Sequence, residues 1–147
     1  DEWDACMKVN VKGAWHMAKA VAPGMRDRAG GSIVNISSNS ALFGSAMMAH
    51  YATSKAALIG LTRVLATELG AHGIRVNTVC PGAMDTPGTR KVAGDNLRAL
   101  IEAAPKARLR AFLESHEVSG SVLFLISDAS KMMTAQILTP DGGLTTG

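Results

Sequence analysis

The sequence predicts an α/β fold in which helices flank a mainly parallel sheet. Residues 31–38 and 73–82 are short apolar runs rich in β-branched side chains, each opened by a glycine, and they predict two buried strands. Between them, residues 51 to about 71 carry leucines at three- and four-residue spacing, which is typical of an amphipathic helix. A strand, a helix and a second strand form a right-handed crossover that places the two strands parallel.

The first helix is predicted over residues 1 to about 25, where one apolar stripe follows the helical repeat. Pro23 is expected to bend or end this helix, and Gly30 and Gly31 end the segment. The apolar stripe consists of Trp3, Met7, Val11, Ala14, Ala18 and Val21.

The carboxyl-terminal part is predicted to contain an irregular stretch, a helix and a short strand. The irregular stretch, residues 84–114, includes a short helical candidate around residues 97–103. Ser115 is a candidate N-cap for a helix that ends near Ser127. Residues 136–139 are predicted to form the final strand.

The composition excludes several classes of protein. The 147 residues suffice for one core, and a content of 47% hydrophobic and 18% charged residues predicts a folded chain. The net charge of +3 is scattered and aromatic residues make up only 4%, so no nucleic-acid-binding surface is predicted. No apolar run reaches the ~18 residues that a membrane span needs, so no membrane contact is predicted.

The histidines and cysteines do not predict a metal site. The four histidines share no ligand spacing with each other or with Cys6 and Cys80. The two cysteines form no Cys-x-x-Cys pair, and each is expected to be a buried, reduced thiol. Reduced thiols favour a cytoplasmic location.

Tyr51 and Lys55 are the first candidates for chemistry. Positions four apart on a helix share a face, so the ammonium of Lys55 is expected beside the phenol of Tyr51. A fixed positive charge favours the phenolate and is expected to lower the pKa of Tyr51 from its ordinary value of ~10. Such a phenol can give a proton to, or take one from, an alcohol or carbonyl oxygen. A chance pair on a solvated helix face is the alternative.

The neighbouring residues favour the chemical interpretation. Ser38 ends the first predicted strand, and Pro81 and Gly82 end the second. Ligands bind at the carboxyl ends of the strands in open parallel sheets. Ser38, Tyr51, Lys55, Pro81 and Gly82 are therefore expected to gather at one rim of the sheet.

Five short motifs follow one another along the chain, at residues 10–13 (Asn-Val-Lys-Gly), 33–38 (Ile-Val-Asn-Ile-Ser-Ser), 51–57 (Tyr-Ala-Thr-Ser-Lys-Ala-Ala), 75–82 (Arg-Val-Asn-Thr-Val-Cys-Pro-Gly, with Thr86 beyond it) and 141–143 (Asp-Gly-Gly). Together they resemble the short-chain dehydrogenase/reductase family, in its compact single-domain branch. Five motifs in order are far more specific than any one of them. The resemblance implies the second half of a doubly wound, Rossmann-like parallel sheet, with NAD or NADP as cofactor.

The glycine-rich turn that opens such a fold is not found in the sequence, and neither is a residue that reads the adenosine ribose. We therefore expect residues 1–147 to form a single partial domain, the carboxyl-terminal, catalytic part of a longer enzyme. A catalytically inactive remnant that acts only in binding is the alternative.

The resemblance implies four catalytic residues. Tyr51 is the general acid in reduction and the base in oxidation, and Lys55 also holds the nicotinamide ribose hydroxyls. Ser38 orients the substrate oxygen, while Ser37 is the weaker candidate because it points to the opposite face of the strand. Asn10 is expected in a helix, where it holds a water that passes protons between Lys55 and solvent; a hydrogen bond to a neighbouring carbonyl is the alternative.

The resemblance also implies further contacts with the cofactor. Pro81 and Gly82 let the chain turn tightly against the nicotinamide, and the backbone at Met84 and the hydroxyl of Thr86 bind its carboxamide. Ala135 stands where the family generally has glycine, which is a departure in the local turn.

The predicted reaction is the NAD(P)-dependent interconversion of a secondary alcohol and a ketone, both small molecules. An epimerase or dehydratase that uses the same Tyr-x-x-x-Lys pair is a further alternative. Met47 and Met48 are candidates for an apolar substrate site, with core or interface filling as the alternative. The chain is expected to form a homo-oligomer through the helices at residues 1–25 and 51–71.

Overall fold

The computed structural model describes residues 1–94, 108–109 and 113–145 of the chain. These residues form a three-stranded parallel sheet in the order β1-β2-β3, so the predicted parallel α/β architecture is confirmed. The strands are β1 (Gly31–Ile36), β2 (Ile74–Val79) and β3 (Ile137–Leu138). β1 and β2 pair along their whole length, from Gly31 with Ile74 to Ile36 with Val79.

Helices connect and flank the strands. The longest, α4, spans Ala49–Leu69 and links β1 to β2, as the leucine spacing predicts. A 3₁₀ turn follows it at Gly70–His72. A second 3₁₀ turn lies at Asp128–Ser130, after the helix at Ser115–Ile126. The remaining helices of the described residues are α1 (Glu2–Met7), α2 (Gly13–Asp27), α3 (Ser40–Phe43), α5 (Pro87–Ala93) and α6 (Ser115–Ile126).

The first helical segment contains a π turn that the sequence does not predict, and it ends slightly beyond the predicted end. A π-helical turn at Lys8–Lys12 separates α1 from α2, and α2 then continues through Pro23 to Asp27. The helix does not end at Pro23, so that half of the expectation is wrong, whereas a bend at Pro23 stays a prediction. Proline removes one backbone donor, and here it lies on an exposed stretch near the last turn, where water can serve the freed carbonyl.

The predicted apolar stripe of this segment is confirmed only in part. Ala18 is buried and Met7 and Val11 are half-buried, whereas Val21 is 36% exposed and Trp3 is 45% exposed. A π turn adds one residue to a helical repeat, so positions beyond it, such as Val21, face a different direction from the one that a regular helix predicts. The sequence pattern contains no sign of that extra residue. Trp3 lies before the π turn, in the first turn of α1.

Helices cover both faces of the sheet because residues alternate along β2. Ile74 and Val76 pack with α2 and α4, in a cluster completed by Ala18, Leu65 and Leu69. The next cluster lies on the opposite face, where Val79 packs with Val118 and Leu125 of α6. Each buried aliphatic side chain contributes roughly 1.5–3 kcal/mol to the free energy of unfolding.

The N-cap of helix α6 lies one residue before the predicted cap. Glu114 is the N-cap, and it forms a capping box with Glu117, whose carboxylate accepts the Glu114 N–H at 2.7 Å. Ser115 is therefore the first helical residue, and its assignment as N-cap is wrong. The helix ends before Ser127 as predicted, whereas the helical candidate at residues 97–103 lies outside the described residues.

The turns just before β2 and β3 each contain a residue with a left-handed backbone. Gly73, just before β2, has a φ of 70°, and a Cβ there would lie 2.8 Å from the carbonyl oxygen of Ala29. Ala135, just before β3, has a φ of 59°, which explains why glycine is favoured at that position. Across the part of the chain that the structure describes, no helix is both long and apolar enough to span a bilayer.

Candidate active site

The predicted catalytic residues meet at one rim of the sheet. Ser38 follows β1, while Tyr51 and Lys55 lie in the first two turns of α4, where the chain returns over the sheet. The side chain of Ser38 lies near enough to the phenol of Tyr51 to lower its pKa. The ammonium of Lys55 lies 5.6 Å from the centroid of the Tyr51 ring. We call Ser38, Tyr51, Lys55, Pro81 and Gly82 the carboxyl rim.

The pKa of Tyr51 is not lowered as the sequence predicts. Burial raises the pKa of this phenol above its ordinary value, and the side chain of Ser38 lowers it only in part, while the thiol of Cys6 raises it further. The expected dominance of Lys55 is wrong because desolvation of the buried phenolate outweighs the other contributions. The group is therefore a protonated acid at neutral pH.

Lys55 is itself held at the end of β1. Its ammonium donates a hydrogen bond to the carbonyl oxygen of Ile36 at 2.9 Å. Burial lowers the pKa of Lys55, and the thiols of Cys6 and Cys80 raise it. An ammonium has three protons, and among the described residues only the Ile36 carbonyl takes one, so two can reach other oxygens.

The two serines after β1 have different partners. Ser37 is buried, and its hydroxyl donates to the carbonyl oxygen of Lys55 at 2.7 Å, which fastens α4 to the strand end. Ser38 is half-buried, and its hydroxyl oxygen lies 3.3 Å from the Ser40 backbone nitrogen and 3.0 Å from the Ser40 hydroxyl. Ser38 therefore faces the site, and Ser37 has a structural contact.

Asn10 lies in the π turn and reaches α4. Its side-chain amide donates to the hydroxyl of Ser54 at 2.9 Å and to the sulfur of Cys6 at 3.4 Å. Both partners are side chains, so the alternative, a hydrogen bond from the Asn10 amide to a neighbouring backbone carbonyl, is wrong. Cys6 is half-buried, which corrects the expectation of a fully buried thiol, whereas Cys80 is buried; both are free.

The turn after β2 approaches the turn after β3 closely. A Cβ on Gly82 would lie 2.9 Å from the Cα of Asp141, and the Gly82 N–H donates to the carbonyl oxygen of Pro140 at 3.0 Å. Glycine is therefore required at position 82 for the two turns to meet. This contact places the turn after β3 at the carboxyl rim.

Asp141 and Asn39 are site-forming residues that the sequence reasoning missed. The buried carboxylate of Asp141 accepts from the Asn39 amide at 3.4 Å, the Gly143 N–H at 3.0 Å and the Thr145 N–H at 2.7 Å. Burial raises the pKa of Asp141, but these hydrogen bonds outweigh it and the net pKa is lowered. The Asp-Gly-Gly motif at residues 141–143 is the sequence feature that marks this position. Its spacing gives no indication that Asp141 holds the two turns together.

Met84 and Thr86 start the segment that leaves the rim. Met84 forms an isolated parallel bridge with Leu113. Thr86 is the N-cap of α5, where its hydroxyl accepts the Thr89 N–H at 3.1 Å. The predicted contacts of both residues with a carboxamide remain predictions.

The methionines before α4 are open to solvent. Met47 is 98% exposed and has a φ of 62°, and Met48 is 36% exposed. Neither is core filling, so the alternative of a buried core role is wrong. No group of histidine, cysteine or acidic side chains within the described residues could hold a metal ion.

Comparison with known proteins identifies the family. The family model described as enoyl-(acyl carrier protein) reductase matches residues 1–145. The 3-oxoacyl-[acyl-carrier-protein] reductase FabG of Thermotoga maritima is 40% identical over 144 residues, which are 98% of this chain and 57% of that protein.

Solved structures agree. The 3-oxoacyl-[acyl-carrier protein] reductase of Brucella melitensis has a TM-score of 0.90 at 36% identity, covering 100% of this chain and 54% of that one. A protein from Beutenbergia cavernae with NADP bound at low occupancy has a TM-score of 0.89 at 33% identity, covering 97% and 57%. The chain thus spans little more than half the length of these proteins.

The matched family model and the solved neighbour with bound NADP belong to a class of oxidoreductases that use a nicotinamide cofactor. Within that class, the chain belongs to the short-chain dehydrogenase/reductase family. Members of this family depend on NAD or NADP.

Proposed function

We propose that this chain carries the catalytic groups of an NAD(P)-dependent oxidoreductase that interconverts a secondary alcohol and a ketone. The observation that carries the proposal is the position of the Tyr51 phenol, near the side chain of Ser38 and with the ammonium of Lys55 5.6 Å from the centroid of its ring. This arrangement supplies a proton donor, a group that orients an oxygen and a nearby cation. We also propose that residues 1–147 form a single partial domain.

The residues of the carboxyl rim fit the nicotinamide end of the cofactor. Lys55 keeps donors that suit vicinal ribose hydroxyls, and Gly82 holds the turn after β2 against Asp141 at the same rim. Tyr51, Pro81, Met84 and Thr86 complete the set that would hold it. Among the described residues, no glycine-rich turn opens a helix for the pyrophosphate. When bound, the cofactor gives or accepts the hydride.

Tyr51 moves the proton in this proposal. Because burial raises its pKa, the phenol is protonated at neutral pH and can donate to a ketone oxygen as hydride arrives. Ser38 donates to the same oxygen and fixes its position. In oxidation the phenol must first lose its proton, and the positive charge of Lys55 favours that loss. Asn10 supports the return of protons through Lys55.

The test measures nucleotide binding and turnover separately. NADH and NADPH fluorescence would be titrated with the purified protein, and turnover would be followed at 340 nm with a panel of ketones. Tyr51→Phe serves as the chemistry control. Reduction that Tyr51→Phe abolishes supports the proposal, whereas nucleotide binding without turnover by the unsubstituted protein supports the binding remnant. Change of substrate without net redox would support an epimerase or dehydratase.

The proposed self-association uses the outer face of α1, α2 and α4. Met7, Val11, Trp15 and Leu61 line an apolar groove there, and Val64 is 54% exposed beside it. Such a patch favours a homo-oligomer. Sedimentation of Val64→Glu against the unsubstituted protein tests it, since a charge beside the groove should disperse the oligomer. We further propose a cytoplasmic location, which the two free thiols support.

A further inference from the structure

Ser54 has contacts that the proposed mechanism does not use. It lies one residue before Lys55, and its side chain is fully buried. Its hydroxyl donates to the carbonyl oxygen of Tyr51 at 2.7 Å and accepts from the amide of Asn10 at 2.9 Å. The sulfur of Cys6 lies 3.3 Å from the same oxygen. One hydroxyl thus joins the helix of Tyr51 to the neighbouring π turn.

The hydrogen-bonding capacity of Ser54 is completely used. A serine hydroxyl has one proton and two lone pairs. The proton goes to the carbonyl of Tyr51, so the contacts with Asn10 and Cys6 are accepted, and the thiol of Cys6 acts as a donor. A buried group with all partners in place has a single arrangement, because any rotation would leave a buried donor or acceptor unpaired.

The π turn explains why Asn10 reaches this hydroxyl. The Gly13 N–H bonds to the carbonyl oxygen of Lys8, five residues back, so Lys8–Lys12 holds one residue more than an α-helical turn. Such turns are rare and are frequent at functional sites. A π turn needs support from its neighbours, and here the bond between Asn10 and Ser54 supplies it.

We propose that Ser54 is a positioning residue that holds Asn10 in register with the turn that carries Tyr51 and Lys55. This inference rests on the proposed function, in which Asn10 supports proton return through Lys55. Ser54 touches neither substrate nor cofactor in this proposal. It acts by fixing the distance between two helices whose side chains must work together.

The experiment compares Ser54→Ala with a matched control on the same helix. Thr62 is also fully buried in α4, and its hydroxyl accepts from the Asn35 amide at 2.8 Å and pairs with Thr78 at 2.6 Å. Thr62→Val therefore removes a comparable buried hydroxyl two turns away from Lys55. Circular dichroism and melting would be recorded for both variants, and Ser54→Cys would test rescue by a side chain of similar shape with weaker hydrogen bonding.

The kinetic arm uses Asn10→Ala in a double-mutant cycle. We expect Ser54→Ala to lower kcat roughly tenfold with KM within about twofold, the lower end of what a displaced proton-transfer group costs. The double variant should be no slower than Asn10→Ala alone, because the two residues act as one unit. Ser54→Cys should recover part of kcat. Multiplicative losses, or an equal loss of kcat in Thr62→Val, would overturn the proposal.

A second arm does not depend on turnover. Tyr51 is the only tyrosine of the chain, so its ionisation can be followed by ultraviolet absorbance from about pH 8 to about pH 12. Ser54→Ala should loosen this turn, admit water and move the apparent pKa of Tyr51 down towards ~10 by at least about half a unit. Thr62→Val should leave the apparent pKa of Tyr51 unchanged.

The two arms separate the inference from the proposed function. If the unsubstituted protein turns over no substrate with either nucleotide, the proposed function fails, and the titration still decides whether Ser54 organises the Tyr51 turn. If the titration curves of Ser54→Ala and the unsubstituted protein coincide while both stay folded, Ser54 is not a positioning residue.

Discussion

The two ends of the same strands are built for different purposes. At the carboxyl rim, the ammonium of Lys55 keeps unused donors, and the phenol of Tyr51 has a hydroxyl neighbour that could be exchanged for a substrate oxygen. At the other end, which we call the amino rim (Gly31, Gly73, Ile74, Arg75 and Thr134), the polar groups are committed to the fold.

Arg75 shows this commitment. Its guanidinium donates to the carbonyl oxygens of Leu125 at 2.8 Å and Ser127 at 3.2 Å, and to the hydroxyl of Ser130 at 2.9 Å. The two carbonyls belong to the last turn and the C-cap of α6, where backbone acceptors have no helical partner. The comparison teaches that spare hydrogen-bonding capacity, more than charge, distinguishes a site from a structural contact in this molecule.

The largest effect is expected from Tyr51→Phe. The change removes the proton-transferring oxygen and keeps the ring, so kcat should fall by ~10²–10⁴-fold while nucleotide affinity is retained. Thr53→Ala, an exposed hydroxyl two residues away, is the matched control and should be silent. Steady-state kinetics and fluorescence titration measure both. Retention of more than about a tenth of kcat would show that Tyr51 is not the acid.

Lys55→Met should separate function from stability. Burial lowers the pKa of Lys55, so the folded state binds its proton less well than the unfolded state, and the charge costs stability until the pH rises through the folded pKa towards ~10.4. The variant should therefore melt at or above the unsubstituted protein at neutral pH. Turnover should fall by roughly 10²-fold and partly recover in alkali in the oxidation direction.

That prediction is checked by pairing pH–rate profiles with calorimetry on the same samples. An unchanged pH profile would argue that Lys55 only binds ribose. A large fall in melting temperature would show that Lys55 stabilises the fold, as the groups of the amino rim do. That result would contradict the distinction between the two rims.

Arg75→Ala should show the opposite pattern. Removing the guanidinium takes one charged donor from each of the carbonyls of Leu125 and Ser127, although serine hydroxyls still donate to both, so the free energy of unfolding should fall by roughly 2–3 kcal/mol. Turnover per folded molecule should be unchanged. Urea unfolding and active-site-normalised kinetics measure the two quantities. A loss of kcat at full stability would break the distinction between the rims.

Asp141→Asn tests the clamp at the carboxyl rim through its pH dependence. The folded pKa of Asp141 lies below the unfolded value of ~3.9, so its stabilisation is fully present above that value and is lost as pH falls through the folded pKa. The variant should lose about 2 kcal/mol at neutral pH. The difference should shrink progressively in urea titrations as the pH falls below about 4 and through the folded pKa. A difference independent of pH would show that shape, and not charge, holds the clamp.

The smallest effect is expected from Ala135→Gly. Ala135 has a left-handed backbone, so glycine should relieve strain and stabilise the protein by roughly 1 kcal/mol. Ala20→Gly, at an exposed interior position of α2, should destabilise by about the same amount. Melting temperatures of the two variants should move in opposite directions; a shift of both in one direction would contradict the assignment of strain.

The sequence alone determined the strand–helix–strand unit, the parallel pairing and the gathering of Ser38, Tyr51 and Lys55 at one rim. These features follow from local periodicity. Apolar residues that alternate predict a strand, and apolar residues that recur every three or four positions predict a helix. The handedness of the crossover then leaves one arrangement of the strand ends.

Only the tertiary structure decided the π turn at Lys8–Lys12, the bond between Asn10 and Ser54, and the direction of the Tyr51 pKa. Each depends on contacts between residues far apart in the chain: Asn10 meets Ser54 across 44 positions, and Asn39 meets Asp141 across 102. Burial and hydrogen-bond satisfaction are properties of the assembled environment, and a one-dimensional pattern does not contain them.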